Sequence, residues 1–223
     1  MAQRLLLGNH RIITYDQNPL SLAEAHSLGA VAASSLEDLV SNLEAPRAVW
    51  IMVPAGEPTQ DTIDGLASLL SPGDTVLDGG NANYKESMNR SKQLSEVGID
   101  FLDVGTSGGI WGLSKGYCLM VGGDEAAYRR LEPIFQTLAP EKNRGYSHVG
   151  TSGAGHFAKM VHNGVEYGLM QAYAEGFEIM HAKEEFGFDL AEVAETWRFG
   201  LSLIHISEPT RRYAISYAVF CLK

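Results

Sequence analysis

The feature that most limits the fold is an alternation between short apolar runs and helical segments. Four runs have the composition of buried strands and end in small or turn-prone residues: RIITY (11–15), AVWIMVP (48–54), TVLDGG (75–80) and IDFLDVG (99–105). Helical candidates lie between them, namely LSLAEAHSLG (20–29), SLEDLVSNLE (35–44) and TQDTIDGLASLL (59–70). Because continuous apolar strands that alternate with helices are typical of parallel sheets, the sequence predicts an α/β fold with a doubly wound parallel sheet.

The second half of the chain continues this pattern and then changes it. Two further strand candidates, YCLMVGG (117–123) and GYSHVG (145–150), flank the helical segment DEAAYRRLEPIFQTL (124–138). A glycine-rich turn, GTSGAG (150–155), is followed by the longest helical pattern in the chain, which runs to about Ala182. We therefore predict a sheet domain over residues 1–152 and the beginning of an all-helical domain over residues 153–200.

Both ends of the chain depart from this organisation. The segment AQRLLL is predicted to be a helix that ends at Gly8 and leads directly into the strand RIITY. A parallel sheet needs a strand before such a crossover helix, so we expect the first strand of the sheet to be missing. The last segment, LSLIHISEPTRRYAISYAVFCLK (201–223), is β-prone. It is either a natural hairpin or edge strand or, as we favour, an unrelated and non-native tail.

Charge and hydropathy limit the partners. The net charge is −10, from 17 Lys+Arg against 27 Asp+Glu, and no basic cluster stands out. This argues against a nucleic-acid or anionic-membrane partner. No apolar run approaches membrane-spanning length, and the three leucines near the start are too few for a signal-peptide core. Cys118 and Cys221 form no CxxC pair. We expect a cytoplasmic protein.

The start of the long helical pattern has an unusual polar stripe. Lys159, His162, Asn163 and Glu166 have the spacing i, i+3, i+4 and i+7, which places them on one face of a helix. An isolated lysine or histidine would more often be a surface or core residue, but four polar residues on one face after a glycine turn predict a functional site. Apolar neighbours are expected to bury much of the rest of this helix: Phe157, Met160, Val161, Val165, Leu169 and Met170.

Four stretches of the sequence have a specific pattern: MVPAG (52–56), DGGNANY (78–84), DVGTSGG (103–109) and GAGHFAKMVHNGVEYGLMQ (153–171). Taken together, they resemble the 6-phosphogluconate dehydrogenase family, and in particular its shorter-chain members. The resemblance runs from residue 1 to about Gly200. It implies a Rossmann-type cofactor domain, an all-helical domain and a homodimer. Two features of the family have no counterpart in this chain, namely the GxGxxG turn and most of the helical domain.

The resemblance also implies the chemistry. Lys159 would take the C3 hydroxyl proton of 6-phosphogluconate while a hydride moves to the nicotinamide of NAD or NADP, and Glu166 would protonate the enediol that remains after CO2 departs. The product would be ribulose 5-phosphate. No metal is implied, because the lysine ammonium supplies the electrophilic help. A lysine withdrawn from water has a lowered pKa and can act as a base near neutral pH.

The remaining family positions would bind the substrate or the cofactor. The implied substrate-binding residues are Asn81, Ser107, Gly108, Gly109, His162, Asn163 and Tyr167. Val53, Pro54 and Ala55 would contact the cofactor at a strand end, together with Asn81, whose carboxamide can meet either the nicotinamide or the substrate. Small residues at a strand end let backbone N–H groups approach a ligand carboxylate.

The choice of cofactor depends on Asp16, at the end of the strand RIITY. A carboxylate at this position hydrogen-bonds the ribose hydroxyls of NAD and repels the 2′-phosphate of NADP. The NADP-specific members of the family tend to have Asn-Arg-Thr here, whereas this chain has Tyr15-Asp16-Gln17-Asn18 without an arginine. The sequence therefore favours NAD. The alternative is that Asp16 only begins the turn before Pro19.

Three functions stay open at this stage. The leading one is a 6-phosphogluconate dehydrogenase fragment. The second is a β-hydroxyacid dehydrogenase of the 3-hydroxyisobutyrate type, whose members share the lysine and the asparagine but do not usually have the pair of His162 and Glu166. The third is a catalytically inactive fragment.

Overall fold

A computed structural model describes residues 1–199, so the prediction for residues 201–223 lies outside the described residues. The chain divides into two compact units, of which the first is Met1–Lys159 and the second begins at Met160. Within the described part of the chain, no helix has both the length and the hydropathy that crossing a membrane requires.

The secondary structure follows the alternation seen in the sequence. The helices of the first unit are α1 (Ala2–Leu7), α2 (Pro19–Ser27), α3 (Leu36–Ser41), α4 (Glu57–Leu69), α5 (Tyr84–Ser95), α6 (Gly112–Lys115) and α7 (Glu125–Leu138). Its strands are β1 (Ile13–Thr14), β2 (Val31–Ala32), β3 (Ala48–Ile51), β4 (Thr75–Asp78), β5 (Asp100–Ser107), β6 (Cys118–Gly123) and β7 (Tyr146–Gly150). Helix α8 (Ala154–Ala182) begins in the first unit, and the second unit also contains α9 (Leu190–Trp197).

The strands form two sheets. One has five strands in the order β3-β4-β5-β6-β7, and the other consists of β1 and β2 in parallel. Among the described residues no strand pairs with both β1 and β3.

The α/β fold is confirmed, but the expectation of a wholly parallel sheet is wrong at one pair. Strand β6 runs antiparallel to β5, whereas the pairs β3–β4, β4–β5 and β6–β7 are parallel. The physical reason is the connection between β5 and β6, which contains only a 3₁₀ turn and the four-residue helix α6. Parallel neighbours need a longer crossover.

Helices cover both faces of the five-stranded sheet. All four residues of β4 are buried, and successive residues face opposite sides. Val76 packs with Ile63 of α4 and Leu94 of α5, whereas Leu77 packs with Phe135 of α7. A strand buried on both faces needs no alternation of apolar and polar residues, which explains why β4 has no such pattern in the sequence.

In the second unit, α8 and α9 pack around Phe177, which is fully buried and stacks at a tilt against Trp197 with ring centroids 5.3 Å apart. Helix α8 ends at Ala182, as predicted. The expected burial of the apolar residues near its start is wrong for five of the six, which are exposed: Phe157, Met160, Val161, Val165 and Leu169. A helix face is buried only where another element packs on it, and α9 packs on the later turns that surround Phe177.

Candidate functional site

Three loops of the first unit meet at one edge of the five-stranded sheet. Strands β3, β4 and β5 are adjacent and parallel, so their carboxyl ends lie side by side. The structure places Val53, Pro54 and Ala55 after β3, Asn81 after β4, and Ser107 at the end of β5. Ligands of open α/β sheets bind in the crevice outside the carboxyl ends of the strands.

Asn81 is exposed at this edge, and its carboxamide has no hydrogen-bond partner among residues 1–199. The loop around it is nevertheless ordered by its neighbour Asn83, whose side chain accepts a hydrogen bond from the Lys85 amide at 3.0 Å and caps α5. A carboxamide with an open donor and an open acceptor on a fixed loop is suited to binding a polar ligand.

A buried arginine ties the first two loops together. The Arg90 guanidinium on α5 donates to the Asp78 carboxylate at the end of β4 at 3.3 Å and to the Gly56 carbonyl in the loop after β3 at 3.4 Å. It also donates to Glu86 at 3.0 Å and Gln60 at 3.1 Å. No motif or period in the sequence predicted this network. The signal was the aspartate that ends the run TVLD.

The turn after β5 requires glycine. Gly108 and Gly109 have φ values of 144° and 47°, in the region that residues with a side chain rarely adopt. A Cβ atom at Gly108 would also lie only 2.9 Å from the Tyr117 ring. The SGG stretch therefore forms a turn whose backbone conformation favours glycine.

Lys159 lies next to β5, near that turn. Its Cβ would be 2.6 Å from a Cβ atom added at Gly105, two residues before Ser107, and Lys159 itself is partly buried. Ser107 pairs with Cys118 in the antiparallel register. Desolvation raises the pKa of the Cys118 thiol, and the positive charge of Lys159 lowers this pKa in part. Lys159 and the SGG turn therefore lie near the same end of β5.

The other predicted residues of the stripe follow on α8 in the second unit. His162, Asn163 and Glu166 are all partly buried. His162 Nδ1 is 3.8 Å from Glu166 Oε2, one helical turn away, and 3.4 Å from Asn163 Oδ1. Tyr167 is exposed, with 67% of its surface accessible. The structure thus brings the histidine, the amide and the carboxylate into one polar cluster.

Asp16 occupies an exposed turn after β1. Its Oδ1 accepts a hydrogen bond from the Asn18 amide at 2.7 Å, and Asn18 in turn caps α2 by accepting from the Leu20 amide at 3.0 Å. Asp16 Oδ1 therefore stabilises the turn that precedes α2. Within the described residues the other oxygen accepts no hydrogen bond, so it is open to a ribose hydroxyl.

A sheet with helices on both faces and polar loops at its carboxyl edge, followed by a long helix, defines the class of Rossmann-type dehydrogenases. Residues 1–150 match the family model described as the NAD binding domain of 6-phosphogluconate dehydrogenase, and residues 155–205 match the C-terminal domain of 6-phosphogluconate dehydrogenase. The chain therefore belongs to the 6-phosphogluconate dehydrogenase family.

Individual relatives agree with this family assignment. The chain is 44% identical over 200 residues to an NAD(+)-dependent, decarboxylating 6-phosphogluconate dehydrogenase of Haloferax volcanii, covering 90% of this chain and 65% of that relative. A structure of the Plasmodium falciparum 6-phosphogluconate dehydrogenase is 27% identical, with a TM-score of 0.80, and the match covers 96% of this chain and 49% of that one. The Mycobacterium tuberculosis 3-hydroxyisobutyrate dehydrogenase with L-serine is 25% identical, with a TM-score of 0.76, over 87% of this chain and 64% of that one.

Proposed function

We propose that this chain provides the cofactor domain and the catalytic helix for the oxidative decarboxylation of 6-phosphogluconate to ribulose 5-phosphate and CO2. The observation that supports this most is the position of Lys159, beside the end of β5 and on the same helix as His162, Asn163 and Glu166. The chain spans about two thirds of the length of the Haloferax relative, which is named for this reaction. We further propose a cytoplasmic homodimer as the working form.

Lys159 acts first in the proposed reaction. As a neutral amine it accepts the proton of the C3 hydroxyl, so that the C3 oxygen becomes a carbonyl. Bound NAD or NADP supplies the acceptor for the C3 hydride. The resulting Lys159 ammonium donates a hydrogen bond to the new carbonyl oxygen and stabilises the enolate that forms when the bond to the carboxylate carbon breaks and CO2 leaves. A positive group aimed at a developing oxyanion lowers the barrier for this step.

Glu166 acts last. By then Lys159 has returned its proton to the enolate oxygen, which gives the enediol. Glu166 donates a proton to the carbon that becomes C1 of ribulose 5-phosphate while Lys159 takes the enediol hydroxyl proton back, so that this oxygen becomes the carbonyl of the ketose. His162, 3.8 Å from the Glu166 carboxylate, holds this group in place and contacts the substrate hydroxyls together with Asn163. A positioned general acid contributes roughly 10²–10⁴-fold in rate. Tyr167, exposed on the next position of α8, binds the substrate phosphate in this proposal.

The loops of the sheet edge fit a nicotinamide dinucleotide and a carboxylate substrate. Asn81 has an open carboxamide for the nicotinamide or the substrate, and the loop of Val53, Pro54 and Ala55 lies beside it and would contact the cofactor. Ser107, Gly108 and Gly109 would bind the substrate carboxylate through the turn that only glycine allows. The open oxygen of Asp16 favours NAD over NADP.

A second candidate is a dehydrogenase of the 3-hydroxyisobutyrate type. The similarity to the Mycobacterium tuberculosis enzyme supports it, because the match covers 87% of this chain with a TM-score of 0.76. The cluster of His162 with Glu166 favours decarboxylation of a sugar acid, since simple hydroxyacid oxidation needs no final proton donor to carbon.

Turnover assays distinguish these functions. We would measure NADH formation and CO2 release with 6-phosphogluconate, 3-hydroxyisobutyrate and L-serine. Two proteins are compared: this chain, and a hybrid in which its residues 1–200 replace the matching segment of the Haloferax relative. The unaltered relative is the positive control, and the hybrid with Lys159→Met is the negative control.

We expect the hybrid to release CO2 from 6-phosphogluconate and to be inactive with Lys159→Met. Oxidation of 3-hydroxyisobutyrate or L-serine in preference to 6-phosphogluconate would contradict the proposal and support the second candidate. A folded hybrid without activity on any of the three acids would identify the segment as catalytically inactive.

A further inference from the structure

A buried carboxylate lies directly beneath the first turn of α8. Asp103 is in the middle of β5, and its side chain is fully buried. Its Oδ1 accepts a hydrogen bond from the Gly153 amide at 2.6 Å, and its Oδ2 accepts one from the His156 amide at 2.8 Å. Both oxygens are therefore used to satisfy N–H groups that the start of a helix leaves without intrahelical partners.

Glycines bring the helix unusually close to the sheet at this point. A Cβ atom at Gly155 would collide with the carbonyl oxygens of Asp103 and Met120. A Cβ atom at Gly105 would lie 2.5 Å from the Gly155 carbonyl oxygen and 2.6 Å from Lys159 Cβ. Helix α8 therefore rests on the backbone of β5 without intervening side chains, so a shift of its first turn moves Lys159 directly.

A second buried contact holds the same turn from the side. His156 Nδ1 and Ser87 Oγ, both buried, form a hydrogen bond of 2.7 Å. Ser87 lies on α5, the helix that begins just after the loop with Asn81. The turn that precedes Lys159 is thus connected both to β5 and to the element that follows Asn81.

We propose that Asp103 is a positioning residue for Lys159. It fixes the height and rotation of α8 over β5 by its two hydrogen bonds to the Gly153 and His156 amides, and it does not touch the substrate. This proposal rests on the proposed function, which makes Lys159 the base. A misplacement of about 1 Å can cost on the order of 10²-fold in rate, so a loss of this anchor has a measurable effect on turnover.

The test compares Asp103→Asn with Asp74→Asn. In Asp103→Asn one acceptor oxygen becomes an NH2 group, which cannot accept from either helix amide. Asp74 is a matched control because it is also a buried carboxylate that accepts backbone hydrogen bonds, from Arg47 at 2.6 Å and Ser71 at 2.9 Å. It lies before β4, at the opposite edge of the sheet, and both substitutions are expected to lower the thermal midpoint.

The first readout uses the 223-residue chain itself. The rate of reductive methylation of Lys159 is followed against pH by peptide mass spectrometry, with the exposed Lys85 as the internal standard. We expect Asp103→Asn to change the labelling rate of Lys159 several-fold relative to Lys85, and Asp74→Asn to leave this ratio unchanged. A purely structural role of Asp103 would lower the thermal midpoint without altering the ratio.

The second readout is turnover in the hybrid. Asp103→Asn should lower kcat about 10- to 100-fold with little change in KM, as expected when an interaction is lost in the transition state only. Asp74→Asn should leave kcat within about twofold, because its partners lie far from the carboxyl edge. Should Asp103→Asn fail to fold, Asp103→Ser keeps a small acceptor oxygen and is measured in its place.

Two results distinguish a failure of the proposed function from a failure of the positioning role of Asp103. If Lys159→Met leaves turnover intact, the proposed function fails whatever Asp103 does. If Lys159→Met abolishes turnover while Asp103→Asn and Asp74→Asn have the same kcat and the same labelling ratio, only the positioning role is overturned.

Discussion

The two sheets of the first unit hold their loops in different ways. In the five-stranded sheet all four residues of β4 are buried, and β5 is eight residues long. In the two-stranded sheet β1 and β2 have two residues each, those of β1 are only partly buried, and those of β2 are exposed. We therefore expect the first sheet to be the more rigid of the two, because short and exposed strands open locally at little cost.

The two sheets also differ in how the charged residues beside them are held. Arg90 and Asp103 lie under the carboxyl edge of the five-stranded sheet and fix the loops and the helix that would meet the reacting atoms. Asp16, beside the two-stranded sheet, is exposed and accepts one hydrogen bond, from the Asn18 amide. Under the proposed function, we expect the five-stranded sheet to support the chemistry and the two-stranded sheet to influence only the choice of cofactor.

The largest effect is expected for Lys159→Met in the hybrid. Removal of the base should lower kcat for 6-phosphogluconate by about 10³-fold or more, because general base catalysis and stabilisation of the enolate are lost together. Lys85→Met, at an exposed position on α5, is the matched control and should stay within about twofold of the parent. Turnover of Lys159→Met within a few-fold of the parent would remove Lys159 as the base.

Glu166→Gln should have a smaller effect, on the order of 10²-fold in kcat, because only the final protonation is disabled. The measurement is NADH formation compared with ribulose 5-phosphate formation in a single turnover, since oxidation precedes the step that Glu166 serves. Equal slowing of both products would argue that Glu166 acts before or during oxidation. Glu178→Gln, further along α8, provides the control for a general effect of charge loss on this helix.

Hydrogen exchange tests the rigidity of the two sheets in the chain itself. Amides of β4 and β5 should exchange on the order of 100-fold more slowly than those of β1 and β2, because the short strands open without global unfolding. Mass spectrometry of peptic peptides that cover residues 11–15, 30–33, 75–78 and 100–107 would measure this. Similar protection of the amides in both sheets would show that the two sheets do not differ in rigidity.

The smallest effect is expected for Asp16→Asn. Loss of the negative charge should raise kcat/KM for NADP relative to NAD by about tenfold, by removing repulsion of the 2′-phosphate. The control is Asp61→Asn, which removes an exposed carboxylate from α4. A clear preference of the parent hybrid for NADP would overturn the prediction, as would an unchanged ratio in Asp16→Asn.

The sequence predicted the parts of this fold that depend on local pattern. Apolar runs identified six of the strands, and the helical period placed the end of α8 at Ala182. Helix α5 was missed because its sequence YKESMNRSKQLS is mostly polar, so its buried positions form too thin an apolar stripe to detect. Strand β2 was missed because two residues give no period.

The supporting residues of the site could not be found in the same way. The residues Asp103 and His156 are joined by a hydrogen bond across 53 positions in the sequence, and Ser87 and His156 by one across 69. Such pairs have no periodic signature. An aspartate inside the apolar run IDFLDVG was a local hint that a buried charge has a partner, but the helix amides that satisfy it become visible only in the folded chain.

The most direct test of the division between the two sheets is a cycle of Asp103→Asn and Asp16→Asn in the hybrid. For the two single variants and the double variant, kcat with NAD and the ratio of kcat/KM for NADP to that for NAD are measured. We predict that Asp103→Asn lowers kcat and leaves the ratio unchanged, that Asp16→Asn changes only the ratio, and that the double variant shows both effects undiminished. A loss of kcat in Asp16→Asn as large as that in Asp103→Asn, or a changed ratio in Asp103→Asn, would contradict this account.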